Sequence, residues 1–135
     1  MKVAVRYFSR SGNTKKLADA VAAAVSVAAK PVDCDLEEPV DVLLLGTSLY
    51  AGTYDVSVAA FIDRNADKIG SIVNFGSSAS GKSTLPKIKA YAEAKGIPVE
   101  ERMYVCPGHF LFLHKNRPND QDLANVAEFA KSVIR

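Results

Sequence analysis

Ser9-Arg10-Ser11-Gly12-Asn13-Thr14 stands between the apolar, β-prone run Val3-Ala4-Val5-Arg6-Tyr7-Phe8 and a helix-like run that opens at Lys15. Strand, short hydroxyl-rich loop, then helix is the order that aims free backbone N–H groups and the positive end of a helix dipole at one point. Such a point suits a phosphate group. A lone strand cannot support it, so a twisted sheet and further loops beside it are expected in the rest of the chain.

Working outward, Lys2 to Phe8 has the mostly apolar character of a central strand covered on both faces. Leu17, Ala18, Val21, Ala24, Val25 and Ala28 then recur at helical spacing, and Lys30-Pro31 ends that run. Val32, Cys34 and Leu36 alternate with Asp33, Asp35 and Glu37, which predicts a short half-buried edge strand. Asp41 to Gly46 is a fully buried parallel strand, followed by the loop Thr47 to Tyr54. Val58, Phe61, Ile62 and Ala66 define a second helix, and Ser71 to Phe75 a further strand. A third loop, Gly76 to Ser83, precedes a helix with Leu85, Ile88, Tyr91 and Ala92 on one face, Ser83 or Thr84 as N-cap, Pro86 in its first turn and Gly96 at its end. Pro98 to Val105 forms the other edge strand. The last helix starts near Asn119, with Asp120 and Asp122 in its first turn and Leu123, Val126, Ala127, Ala130 and Val133 facing inward.

Five strands alternating with four helices imply right-handed crossovers and an α/β three-layer sandwich around a parallel sheet. The expected strand order is 2-1-3-4-5, which places a topological switch point between strands one and three. The loops at 9–14, 47–54 and 76–83 would meet there.

Composition narrows the function classes. With 135 residues, 48% of them hydrophobic and 24% charged, the chain has the makeup of one ordinary globular domain spanning 1–135, not of a disordered or membrane protein. The longest apolar run, Val42-Leu43-Leu44-Leu45, is far too short to span a bilayer, and no charged leader precedes the first strand; a cytoplasmic location is expected. The net charge of +2 is spread along the chain without basic runs, so no nucleic-acid partner is expected. Cys34 and Cys106 lie toward opposite edges in the expected strand order, which predicts free thiols. With His109 and His114 they match no zinc spacing, so no metal is expected.

The stretch from Tyr7 to Thr14 resembles the FMN-phosphate loop of flavodoxins, a strand followed by (Ser/Thr)-x-(Ser/Thr)-Gly-x-Thr. Gly46-Thr47-Ser48-Leu49-Tyr50-Ala51-Gly52 is similar to the loop that covers one face of the flavin, and Cys106 to Phe110 with Arg117 to Leu123 look like the closing segment of short bacterial members. The resemblance implies that Ser9, Ser11 and Thr14 give hydroxyl hydrogen bonds to the phosphate. Gly12 would let the backbone approach, Asn13 would offer its N–H, and Arg10 would lie alongside. Thr47 and Ser48 would flank the ribityl chain, with Leu49 in the same loop. Tyr50 would stack on the ring, Ala51 or Gly52 would face flavin N5, and Gly76, Ser77 and Ser78 would line the pyrimidine end. No aromatic lies between Gly76 and Ser83, so Tyr54, Phe110 or Phe112 would have to supply a second wall. The implied protein is a monomeric FMN-binding electron carrier acting between redox proteins.

Three other functions compete with the carrier. An FMN-dependent reductase of quinones or similar small acceptors would use open space above the ring. A flavodoxin-fold module could act without cofactor. The loop Gly76 to Ser83 also satisfies GxxxxGK(S/T) after a strand and before a helix, the context of a nucleotide P-loop with Lys82 on the phosphates and Ser83 on magnesium. That use needs an aspartate closing another apolar strand, and neither Gly46 nor Ser9 provides one.

Overall fold

A computed structural model of the chain describes residues 1–10, 12–49, 53–78, 82–106 and 117–134. Among these, the elements are β1 (Val3–Tyr7), α1 (Asn13–Val25), β2 (Ala29–Pro31), β3 (Val42–Ser48), α2 (Val56–Asn65), β4 (Ile72–Ser77), α3 (Leu85–Glu93), β5 (Tyr104–Cys106) and α4 (Asp120–Val133). The strands form one sheet in the order β2-β1-β3-β4-β5, every neighbouring pair parallel, as the alternation of strands and helices requires.

Both faces of the sheet are covered. Leu17, Ala18 and Val21 of α1 and Val126 and Ala130 of α4 pack on Val5, Leu44, Val73 and Phe75. On the other face Val58, Phe61 and Ile62 of α2 and Ile88 and Ala92 of α3 pack on Leu43, Leu45 and Ile72. Successive residues of β3 thus serve opposite cores, which is why Val42 to Leu45 carries no polar residue at all.

Three local expectations are corrected. The first helix begins at Asn13, two residues before Lys15, and closes at Val25, where Ser26 takes a left-handed conformation (φ 62°) and Val27 N donates to Ala22 O.

The edge strand is Ala29–Pro31 and not the alternating stretch after it. Its register pairs Val5 with Ala29 and Tyr7 with Pro31, and an edge position tolerates a proline that has no N–H to give. Val32 and Leu36 are buried as their alternation foretold, but in a turn. The amide of Leu36 donates to Asn65 Oδ1 at 2.9 Å, Arg64 Nη2 donates to Val32 O at 3.0 Å, and Arg6 Nε reaches Cys34 O at 2.8 Å. Period-two spacing reports which side chains face the core. It does not report where the backbone N–H groups go.

The far edge strand is also shorter than expected. Only Tyr104–Cys106 forms a ladder with β4, joined upstream by a single bridge between Ile72 and Val99, and the charged Glu100-Glu101-Arg102 lies between the two.

Cys34 is half-buried and Cys106 fully buried, and both are free thiols. Burial, aided by the nearby Asp122 carboxylate, pushes the Cys106 thiol up to about 11. A disulfide-exchange reagent at pH 8 should therefore titrate Cys34 in the folded protein and reach Cys106 only after denaturant is added. Equal reaction rates at the two would contradict this placement.

Candidate functional site

The carboxyl ends of β1, β3 and β4 meet where the strand order reverses. At the first of these, Ser9 Oγ accepts a hydrogen bond from Gly12 N at 3.0 Å and folds the loop back on itself. Gly12 is the N-cap of α1 with φ 90°, a left-handed value that favours glycine, and a β-carbon built there would meet nothing within 4 Å. The loop is therefore open on that side. Asn13 and Thr14, both buried, make the first helical turn.

Thr14 joins the three strand ends. Its hydroxyl lies 2.7 Å from Ser48 Oγ at the end of β3 and 2.8 Å from Ser77 Oγ at the end of β4, with Thr47 O at 3.4 Å. To reach β4 it must cross β3, and Gly46 makes room: a β-carbon there would stand 3.1 Å from Thr14 Cγ2 and 2.7 Å from the Phe75 ring. Leu49 N donates to Ser77 O at 3.2 Å, so the second and third strand ends are tied through the backbone as well.

Gly76 and Ser77 belong to β4, and the ladder with β3 runs to the pair Ser48–Ser77. The third loop consequently starts later than Gly76. Ser78 is buried and its N–H donates to Cys106 O. Thr47 is turned to the opposite side from Ser48. Its hydroxyl lies 2.8 Å from Thr84 Oγ1 and accepts from Asn74 Nδ2 at 3.1 Å. Arg10 is half-exposed, with Nη2 at 3.8 Å from Asp55 Oδ1. The expected site residues Ser11, Tyr50, Ala51 and Gly52 lie outside the described residues, as do Phe110 and Phe112.

A cleft of about 240 Å³ opens beside this point, lined by Phe8, Arg10, Ser48, Thr53, Tyr54, Asp55 and Val56. Tyr54 is half-buried against the core of the α2–α3 face, and burial raises its phenol above the ordinary value. Asp55 caps α2 by accepting from Ser57 N at 3.0 Å, and hydrogen bonding by Ser57, side chain and backbone, with Arg10 adding to it, holds its carboxyl below the ordinary range.

The donor set fits a phosphate monoester. The N-cap of α1 is a glycine, which offers no capping side chain, the first turn contains no acid, and Lys16 and Lys15, the latter paired with Asp19 at 3.0 Å, sit in that turn. Cations there oppose the helix dipole, an arrangement that a bound dianion would reverse from unfavourable to favourable. The hydroxyls of Ser9, Thr14 and Ser48 stand around the same helix end.

A family model described as a flavodoxin domain matches residues 4–102, and the chain belongs to the flavodoxin family. An uncharacterised protein of Methanocaldococcus jannaschii is 26% identical over 150 aligned positions, covering 100% of this chain and 99% of that protein. Among solved structures, a flavodoxin from the domain Archaea superposes with a TM-score of 0.73 at 21% identity over 98% of this chain and 96% of that one. Flavodoxin 1 of Bacillus cereus gives 0.74 at 20% identity over 99% and 97%. The two-electron reduced flavodoxin of Megasphaera elsdenii gives 0.64 at 25% identity over 96% and 98%.

Of three further residues around the site, one escapes a sequence-based reading. Asp55 pairs with Arg10 across two loops, and nothing in the spacing of the two announces it. Asn74 had a signal, since it is the one polar residue in Ile72-Val73-Asn74-Phe75, and it is fully buried. Thr84 was legible as a helix N-cap, but its hydroxyl does not cap α3; it turns into the sheet instead. Among the described residues no cluster of His, Cys, Asp and Glu is arranged to hold a metal, and no helix is long and apolar enough to cross a membrane.

Proposed function

We propose that this protein binds FMN noncovalently at the switch point and carries electrons between redox proteins. The observation that carries the proposal is the meeting of the Thr14, Ser48 and Ser77 hydroxyls at a helix start whose N-cap is a glycine and whose first turn carries lysines. That is a phosphate-recognition chemistry, and a phosphate on a flavin is the ligand that the family membership favours. Bound there, the flavin would supply the uptake and release of electrons.

The protein's own contributions are assigned as follows. Ser9, Thr14 and Ser48 hold the phosphate, Gly12 keeps the loop open to it, and Lys16 balances its charge, with Lys15 held beside it by Asp19. Tyr54 and Phe8 line the neighbouring cleft, with Tyr50 proposed as the main stacking surface. Ser77 and Ser78 close the pyrimidine side. Redox proteins are the proposed partners on the strength of membership in the flavodoxin family.

The test is fluorescence titration of flavin-free protein with FMN and with riboflavin. FMN should be quenched with micromolar affinity or better, and riboflavin should bind at least about tenfold more weakly because it lacks the group that the loop recognises. Failure of both to bind would overturn the proposal. Tight ATP binding lost on Lys82→Ala would point to the nucleotide loop instead. Rapid steady-state turnover of a quinone, with no transfer to a one-electron acceptor protein, would replace the carrier by a reductase.

A further inference from the structure

Asn74, Thr47 and Thr84 are 0%, 1% and 2% exposed, and their polar atoms close a ring. Asn74 Nδ2 donates to Thr47 Oγ1 at 3.1 Å, Thr84 Oγ1 donates to Asn74 Oδ1 at 2.9 Å, and the two threonine hydroxyls are 2.8 Å apart. A hydroxyl has one proton. Since that of Thr84 goes to Asn74, Thr47 must donate to Thr84, and each hydroxyl then gives one bond and accepts one. The second amide proton of Asn74 goes to Leu45 O at 2.9 Å. A full complement of partners is what makes a buried amide tolerable in the middle of a parallel sheet.

The ring has a counterpart at Ser77. Between Ser77 and Thr84 runs the third site loop, and each of these two residues is bonded by its hydroxyl to a different site loop: Ser77 to Thr14, and Thr84 to Thr47. A plain structural tie would need neither the buried amide nor hydroxyls at both ends, because Thr84 O already receives the amides of Lys87 and Ile88 and seats the helix start. What the hydroxyl adds is the position of that start relative to the end of β3.

We propose that Thr84 is a positioning residue for the flavin site. Acting through Thr47 and Asn74, it fixes the exit of the third loop against the second, as Ser77 fixes its entry against the first. The inference rests on the FMN reading above. It assigns the Thr47 hydroxyl to the ring and not to the ribityl chain, so that Ser48 alone offers a side-chain hydroxyl from the end of β3.

The test compares full-length wild type with Thr84→Val, Thr84→Ser and Thr47→Val, reading FMN affinity by fluorescence quenching and the visible spectrum of the bound flavin. Thr84→Val keeps the shape and loses the donor, and should weaken FMN about tenfold and shift the spectrum, while Thr84→Ser stays within about twofold of wild type. Thr47→Val opens the ring from its other side and should reproduce the Thr84→Val result. It also serves if Thr84→Val does not fold. Wild-type affinity and spectrum in a folded ring-opened variant would overturn the positioning role. Absence of FMN binding by wild type would instead overturn the cofactor reading itself.

Discussion

Gly76→Ala should cost at least about 3 kcal/mol and leave little folded protein at 37 °C, because the added carbon has no place to go. A β-carbon at this position would stand 2.0 Å from Thr47 O, 3.1 Å from Thr47 C and 3.3 Å from Thr47 Oγ1. The first two are backbone atoms of the neighbouring strand, so relief requires parting β3 from β4, the pair that carries both the ladder and the site. The conformation of Gly76 is not the obstacle. Its backbone lies outside the left-handed region, and space alone excludes a side chain. Urea denaturation of the purified variant against wild type measures the effect. A loss below about 1 kcal/mol would mean that the strands part easily, and the tight joint between the second and third site loops would have to be abandoned.

Asp122→Ala should cost about 2 kcal/mol at pH 7, through loss of a helix cap and of a charge-assisted pair. Asp122 is 3% exposed and accepts from Arg117 Nε and Nη2, both at 2.6 Å, and from Asn119 N at 2.8 Å, while Asn119 Oδ1 accepts from Asp122 N. That is a capping box with an arginine added. The Arg117 contact, first among the causes, holds the carboxyl below its ordinary value of 3.8, with the Asn119 amide contributing against the cost of burial. A carboxyl depressed in the folded state stabilises the fold above its unfolded value, and the benefit is lost as the pH falls through the folded one. Wild type should therefore hold its stability from pH 7 down to about 4 as far as this group is concerned, and lose the contribution below that. Asp122→Ala should lack that part of the acid dependence. Parallel acid-unfolding curves for the two proteins would show that the pair contributes nothing to stability.

Asp122 also shows how far a motif can be taken from sequence. Asp120 and Asp122 were legible as first-turn acids of α4, a role that needs only helical spacing and the dipole. The pairing with Arg117 five residues earlier, and the effect on the Cys106 thiol across from it, depend on how the end of β5 sits against the start of α4. Asn74 gives the same lesson. Its lone polarity in an apolar strand signalled that a partner must exist, but the partners come from 27 and 10 residues away and meet it only because β3 and α3 flank β4.

Where the sequence misled, it did so over hydrogen bonding. Val32, Cys34 and Leu36 have the spacing of a strand and the burial of one at their two ends, yet their segment is a turn fastened by Arg6, Arg64 and Asn65. The three residues that do pair with β1 include a proline.

The order of elements was legible in the sequence, and the expected parallel sheet, 2-1-3-4-5 arrangement and switch point followed from it, because short crossovers of one hand leave few alternatives. Hydroxyls and a glycine shortly before a helix were legible too, since Ser9 to Thr14 is contiguous. Which of those hydroxyls face one another is set by the assembled fold. Thr14 reaches Ser77 over a glycine in the intervening strand, and neighbours Thr47 and Ser48 face opposite ways. In a pleated strand successive side chains leave by opposite faces, so a run of hydroxyls is divided between two networks by a register that only the assembled sheet sets.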